Sequence, residues 1–598
     1  MKNFFASMLG SLAALVIFSA GCALVFAIVC AVMIASQNKA APVESGSYLV
    51  FDLTRNIPDS PTEPGLGDFG GEKPETLQLR TITRALRAAA GDARISGVFI
   101  TGSLEPQEYG AGFAALKEVR DALLACRAAG KPVVAYVDFA VARDIYLDSA
   151  ASEVVMDPYG AVFLPGLASA PIFYAGAFEK FGIGVQVTRV GKYKSFVEPF
   201  TRKDMSPESR EQTQKLLDDV WSGIVGDIAA SRGLAPATLQ DAVDTNGIFT
   251  AEEARTAGLV DRIAYRDEVL AGLKRKTGRV GAKEAFKQIA LDDYAEGLPG
   301  DVAKKKSEDK RGSIALVYAE GDIVDGEGDE GEIGGDKFAR KLRELRQDDS
   351  VKAIVLRVNS PGGSATAAEE IQRELRLARK VKPVIVSMGT VAASGGYWIS
   401  AYGDKIFAEP TTITGSIGVF GLFFNVQKLA GDLGLTFDVV KTGKFADVLT
   451  ISRPKTDAEL ARFQHLVDWI YDQFVAKVAE GRHLDRAKVE AIAQGRVWSG
   501  VEAKNLGLVD ELGGLDAALR YAAKRAGLEN YRVVEYPRKK ELSDVIVEWL
   551  KGERHEQTSG ADALGRFVGQ IKSGLKSLHE FNDPRGVYAR LPLEVMAK

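Results

Sequence analysis

Two short stretches of this chain hold residues that could form a nucleophile and its base, and they stand 200 positions apart (394 − 194): Gly191-Lys192-Tyr193-Lys194-Ser195 and Ala392-Ala393-Ser394-Gly395-Gly396-Tyr397. A serine hydroxyl is a weak nucleophile until a base takes its proton. A lysine serves as that base only when neutral, against a free value of about 10.4. Bringing it near neutrality costs roughly 4 kcal/mol, which burial among apolar groups can impose. Tyr193, Phe196 and Val197 suit such surroundings, although Lys194 taken alone also reads as a surface lysine, as Lys192 does. Ser394 stands between an apolar strand pattern and a helix opening at Gly395-Gly396. There its hydroxyl is presented at the strand's C-terminal end, close to the N–H groups of the helix start. The same position suits a helix cap or a turn. Ala392 also replaces the first glycine of a Gly-x-Ser-x-Gly elbow.

A third stretch adds to these. Asn359-Ser360-Pro361-Gly362-Gly363-Ser364 follows the strand pattern Ile354-Val355-Leu356. Two adjacent glycines let a backbone N–H approach a ligand with no side chain in the way, which is what an oxyanion hole requires; the other reading is a plain strand-to-helix turn. The four histidines, His465, His483, His555 and His579, all follow Ser394, and none lies in a small-residue turn. A Ser-His-Asp triad stays open but nothing signals it, and Lys194 is the better base.

The elements that must position these residues occur twice. Lys194 aligns with Ala446 at an offset of 252, and Ser394 aligns with Arg143 at an offset of 251, so one copy keeps a lysine and the other a serine. Gly46–Phe51 and Gly312–Val317 read as equivalent first strands, Gly97–Ile100 and Ala353–Leu356 as second strands, Val133–Ala135 and Val384–Val386 as third strands. Helical patterns lie between them, which indicates parallel α/β architecture. Long helices at Pro207–Ile228 and Thr456–Val478 also correspond, and Gly-Leu-Val-Asp recurs at 258–261 and 507–510. A period near 250 residues is a duplicated domain rather than a solenoid. The reading divides the chain into an anchor and short linker (1–45), a first domain supplying the lysine (46–300), a charged linker (301–311), a second domain supplying the serine (312–540) and a helical tail (541–598). Val545, Trp549 and Leu550, then Phe567, Ile571, Leu575 and Leu578, suggest two amphipathic helices in that tail.

Composition narrows the class. A net charge of −4 gives no support for nucleic-acid binding. Of three cysteines, Cys22, Cys30 and Cys126, two lie in the apolar N-terminus, so the body has neither a disulfide framework nor a cysteine zinc site. From Phe4 to Ala35 there is no charged residue. Roughly 20 apolar residues cross a bilayer core, and this run exceeds the ~7–15-residue core of a cleavable signal. A retained single-pass transmembrane helix is the expectation, with its orientation undetermined by the lone lysines flanking it.

In combination, Asn-Ser-Pro-Gly-Gly-Ser, Ala-Ser-Gly-Gly-Tyr and Gly-Lys-Tyr-Lys-Ser resemble the signal peptide peptidase A family in its long, tandem-duplicated bacterial form. The resemblance spans about Gly46 to Tyr536. It implies tandem Clp-protease- and crotonase-like spirals of ββα units and a serine endopeptidase acting through an acyl-enzyme. It further implies Ser394 as nucleophile, Lys194 as general base, and the N–H groups of Gly363 and Gly395 as oxyanion donors. No metal or cofactor is implied. The implied partners are peptide substrates, remnant signal peptides above all, together with the membrane and three further copies in a homotetramer. The implied location is the bacterial inner membrane with the body on the periplasmic side. The stretch Thr414-Gly415-Ser416-Ile417-Gly418 also fits the family and would shape the site wall. Two other readings keep the same fold: a crotonase-like enzyme acting on acyl-thioesters, and a catalytically silent membrane scaffold. Because the Gly362-Gly363 pair lies in the copy that holds Ser394, the site is expected where the two copies meet.

Overall fold

The computed structural model describes residues 41–61, 76–107, 110–281, 283–298, 312–329, 331–538 and 583–591, with five isolated helical positions between 14 and 21. The anchor expected at Phe4–Ala35, the charged linker 301–311 and the two tail helices expected around 545–550 and 567–578 lie outside them, a few anchor positions excepted. Among the described residues no helix is long and apolar enough to cross a membrane.

The first half contains β1 (Ser47–Asp52), β2 (Ile95–Thr101), β3 (Val133–Val141), β4 (Glu153–Phe163), β5 (Gly184–Val190), β6 (Ile248–Thr250), β7 (Arg262–Ile263) and β8 (Gln288–Ala290). The second contains β9 (Gly312–Glu320), β10 (Ile323–Val324), β11 (Ile333–Gly334), β12 (Val351–Ser360), β13 (Gly362–Ser364), β14 (Val384–Ala393), β15 (Lys405–Ala408), β16 (Ile413–Gly415), β17 (Val419–Asn425), β18 (Val497–Ser499), β19 (Glu511–Leu512) and β20 (Tyr531–Tyr536), and β21 (Tyr588–Arg590) follows. Each half builds one largely parallel sheet. The orders are β6-β4-β3-β2-β1-β8 and β18-β16-β14-β12-β9-β20, the same winding twice. Their central strands are Val- and Ile-rich runs buried on both faces, as covered parallel sheets require.

The third sheet joins the halves. Its order is β11-β10-β13-β21-β17-β5. β5 of the first half pairs antiparallel with β17 of the second along its whole length, from Gly184↔Asn425 to Val190↔Val419. The tail assigned above to helix thus contributes, in its described part, a strand: β21 lies between β13 and β17. A three-residue strand has no periodicity of its own to read, and it forms because two edges are there to receive it.

The apolar core of the first half extends into the second through Val391, Ala393, Ile413 and Val497. A buried ionic cluster crosses the same boundary. The Arg357 guanidinium meets Asp59 at 2.8 Å and Glu118 at 2.7 Å, and Glu118 also accepts the Leu515 N–H at 2.8 Å. Burial pulls the guanidinium down, but the two carboxylates outweigh it and hold it charged. The long helices Pro207–Arg232 and Asp457–Arg482 pack outside the sheets. Ser206 caps the first and a Thr456–Glu459 capping box starts the second.

Candidate active site

β14 ends at Ala393 and the helix Gly395–Ser400 begins two residues later, so Ser394 is the junction. Its backbone has φ +56° and ψ −113°, a conformation L residues avoid. Such strain, of order 1–3 kcal/mol, persists where surroundings over-determine it. Here Ser394 N–H donates to Gly415 O at 2.8 Å and Ser394 O accepts from Trp398 N–H at 2.8 Å. Neither following glycine could carry a side chain: a methyl at Gly396 would lie 2.6 Å from Ser360 O, and one at Gly395 would meet Gly362 Cα at 3.1 Å.

Lys194 arrives from the other half. β5 runs along β17 to Val190, and Gly191, at φ +104°, turns the chain against Gln494, whose carbonyl accepts the Tyr193 N–H at 3.0 Å. Gln212 holds the turn from the long first-half helix, donating to Tyr193 O at 2.9 Å and Ser195 Oγ at 3.0 Å. The lysine stem then enters a slot kept open by glycine. Gly495, at φ +76°, leaves no room for a methyl, which would lie 2.6 Å from Lys194 N, and one at Gly418 would lie 3.3 Å from Lys194 Cδ.

Lys194 Nζ ends 2.7 Å from Ser394 Oγ, and both side chains are buried. Ser416 supplies the other contacts, its carbonyl at 3.2 Å and its hydroxyl at 3.0 Å. Burial alone holds the Lys194 ammonium well below the ordinary lysine value. A neutral amine has two N–H donors and one lone pair. With the two Ser416 oxygens taking the N–H groups, the lone pair is left for the Ser394 hydroxyl. The structure therefore brings together the lysine and the serine that the sequence keeps in separate copies.

Gly362 and Gly363 lie beside them at φ +101° and +153°. A methyl at Gly362 would come within 2.6 Å of Gly395 N, and one at Gly363 within 2.0 Å of Ile323 O. The backbone N–H groups of Gly363 and Gly395 thus border one small cradle that only glycine leaves open. Aromatic and aliphatic side chains, Phe196, Val197, Phe420 and Leu422 among them, form an apolar cluster at the β17 side of the groove.

Sequence reasoning did not assign Ser416 its contact with the lysine, nor Gly495 and Gln212 their parts in holding it. The small-residue string 414–418 was visible as a wall. The positive φ of Ser416, +52°, and its N–H bond to Arg496 O at 2.7 Å, which turn it toward Nζ, are tertiary. Arg143, matched to Ser394 by sequence, lies inside the first turn of the helix Ala142–Asp148, whereas Ser394 stands just before its own helix. His465 and His483 are exposed on and at the end of the long helix, away from Ser394. Among the described residues no cluster of histidine, cysteine and carboxylates could hold a metal.

A serine at a strand–helix junction, set in a doubly built parallel α/β frame, is the arrangement of a serine hydrolase. Residues 125–279 and 376–529 match peptidase family S49, and residues 317–413 match Clp protease. The chain is 35% identical to protease 4 of Salmonella typhi over 568 residues, 90% of this chain and 89% of that one. It is 34% identical to protease 4 of Haemophilus influenzae, over 92% of each chain. It is also 32% identical to the chloroplastic serine protease SPPA of Arabidopsis thaliana, over 86% of this chain and 74% of that one. The chain belongs to peptidase family S49, in the protease 4 and SPPA group, and is a serine peptidase with two family domains in tandem.

Proposed function

We propose that this peptidase is a membrane-anchored endopeptidase that degrades apolar peptides, cleaved signal peptides in particular, through an acyl-enzyme on Ser394 with Lys194 as general base. The observation that carries the reading is the 2.7 Å contact of Lys194 Nζ with Ser394 Oγ in a buried site without a counter-charge for the amine. Neutral Lys194 takes the hydroxyl proton as Ser394 Oγ attacks the peptide carbonyl, and the oxyanion forms toward the N–H groups of Gly363 and Gly395. Lys194 then passes the proton to the leaving amine. Water enters, Lys194 takes its proton, and the ester is hydrolysed. Thioester chemistry needs no such base, and a silent scaffold needs no lysine buried against a serine.

Apolar, extended substrates are supported by the strand position between β13 and β17, held here by β21, which lies beside the aromatic cluster. The uncharged run from Phe4 to Ala35 supports the anchor, and the family resemblance supports an inner-membrane location with the body in the periplasm. A head-to-tail homotetramer is supported by two edges left over from the duplication. The second copy's counterpart of β5, around 435–441, forms no strand and exposes Leu435, Phe437 and Val440. The first copy's counterpart of β17, around 167–173, pairs with no strand among the described residues. If one chain's 435–441 lay on the next chain's 167–173 as β5 lies on β17, the heterologous contact would repeat and close a ring.

The test uses the detergent-solubilised full chain and an apolar peptide. Ser394→Ala and Lys194→Ala are each expected to lower turnover by about 10⁴-fold or more while keeping the circular dichroism and melting profile. A serine-reactive acylating probe should label the unaltered chain on Ser394. Unchanged turnover in either variant would sink the mechanism.

A further inference from the structure

The second-half segment leading into β18 lies against Lys194, and Arg496 is its centre. Its backbone meets the lysine's surroundings at four consecutive residues. Gln494 O accepts the Tyr193 N–H at 3.0 Å, and Gly495 backs onto Lys194 so closely that a methyl there would lie 2.6 Å from the Lys194 nitrogen. Arg496 O accepts the Ser416 N–H at 2.7 Å, and Val497 N–H donates to Gln212 Oε1 at 3.4 Å. Ser416 is the residue whose carbonyl and hydroxyl oxygens meet the Lys194 amine. Through its own carbonyl, Arg496 therefore holds one wall of the lysine slot.

Its side chain grips the other half. The guanidinium carbon lies 4.7 Å from the centre of the Tyr193 ring and 4.8 Å from that of Trp498. Nη1 donates to Tyr193 Oη at 3.0 Å, and Nη2 pairs at 3.0 Å with Glu211, which also accepts from Tyr193 Oη at 3.2 Å. A planar guanidinium stacks on rings and bonds through its fork at once, which an ammonium cannot do. Lys192 Nζ lies 4.9 Å from the centre of the same tyrosine ring. The charged groups around the turn are thus Lys192, Glu211 and Arg496, while the Lys194 amine meets the Ser394 and Ser416 oxygens. The stack runs outward from buried Tyr193 through part-buried Arg496 to exposed Glu211. The duplicate set lacks it. β6 starts at Ile248 as β18 starts at Val497, each antiparallel to its neighbour, so Gly247 stands where Arg496 does. Phe445 and Ala446 stand where Tyr193 and Lys194 do. The lysine, the tyrosine hydroxyl and the arginine are missing together.

We propose that Arg496 is the positioning residue of the base: it pins Tyr193 of the first half to Ser416 of the second, and so holds Lys194 Nζ against Ser394 Oγ in a slot closed to water. The proposal rests on the serine–lysine reading above and adds to it the residue that keeps the lysine in place. The pin matters because the two partners of the dyad come from different copies, and the lysine side chain has several rotatable bonds to lose. Once the stack is opened, Tyr193 can swing, water reaches the amine, and the charged form of Lys194 regains hydration that burial denies it. The lysine then spends more of its time protonated and is a poorer base at the same pH.

The test is the pH profile of kcat/KM for an added apolar peptide, measured on the full chain with Arg496→Met, Arg496→Lys and Lys194→Ala. A neutral base is lost as pH falls through its pKa, so a raised pKa moves the acid limb to higher pH. Arg496→Met should move that limb up by about one pH unit and lower kcat at neutral pH about tenfold, with KM within about threefold and much of the loss recovered at high pH. Removing a cation would by itself push the limb the same way. Arg496→Lys separates the two causes, since it keeps the charge and loses the stack and the fork. Its limb should rise too, by about half a unit or more. The proposal is overturned if activity falls equally at every pH with the limb unmoved, or if Arg496→Lys behaves as the unaltered chain. Should Arg496→Met fail to fold, Arg496→Lys alone decides by the same criterion. If Lys194→Ala cuts the peptide as fast as the unaltered chain, the serine–lysine reading falls and this proposal falls with it; if Lys194→Ala is inactive and the arginine variants keep their limb, this proposal falls alone.

Discussion

The two halves wind the same sheet twice but fill the space above the third strand differently. In the second half, β14 runs into Ser394 and two glycines, and the backbone N–H groups of Gly363 and Gly395 border a cradle into which the Ala589 carbonyl of β21 reaches. In the first half the corresponding space is plugged. Asp144, in the first turn of the helix Ala142–Asp148, accepts the Leu104 N–H at 2.8 Å and the Val141 N–H at 2.9 Å. Burial pushes this carboxyl up to about 6, partly offset by those two N–H groups. The first half thus sets a buried carboxylate on its own backbone donors where the second half has a serine followed by two glycines. What the first half gives to the site is a strand, β5, leading to a lysine that meets Ser394 of the other copy.

The first way to break this comparison is pH. A base that serves only when neutral is active above its own pKa and is lost as pH falls through it. Burial places that point well below the ordinary lysine value. The acid limb of kcat/KM should therefore fall about tenfold per pH unit below the Lys194 value. An acid limb unchanged in a Lys194 variant with residual activity would remove the lysine from the role of base.

Next in size is the join between the halves. Arg357→Met leaves Asp59 and Glu118 buried without their cation, and about 3–5 kcal/mol of stability should be lost by denaturant titration. A loss under 1 kcal/mol would mean that the apolar boundary alone holds the copies together.

Gly363→Ala follows. It pushes a methyl toward Ile323 O and displaces one cradle donor, so kcat should drop by about 10²–10³ with KM less affected. A rise in KM alone would make the cradle a binding feature instead.

The smallest effect on turnover belongs to the plugged copy. Asp144→Asn should leave peptide hydrolysis within about twofold, because Asp144 contacts first-half backbone only. It should still show in stability. A carboxyl raised to about 6 contributes stability that is full below its unfolded value, near 4, and is lost as pH rises through 6. The unaltered chain should lose up to roughly 3 kcal/mol across that window, and the variant should show a shallower slope on the same melting series.

Much of the site could be read without coordinates because its requirements are local. Adjacent glycines at 362–363 and 395–396 mark backbone that must approach closely, and the repeat exposes the two positions where the copies diverge. The strand and helix patterns fixed the parallel α/β class for the same reason, since each is a property of a few consecutive residues. The roles of Ser416, Gly495 and Gln212 escaped because each depends on a neighbour far away in sequence.

The amino-acid sequence by itself determined that this protein has two copies of one α/β domain, with a lysine kept in one and a serine in the other. Only the tertiary structure decided that they meet. That outcome depends on β5 pairing with β17 in one register, and a register is set by backbone hydrogen bonds between distant strands, not by the side chains of either alone. The same holds for Asp144 in the first copy: its carboxylate takes backbone N–H groups, which nearly every residue carries and no composition reveals.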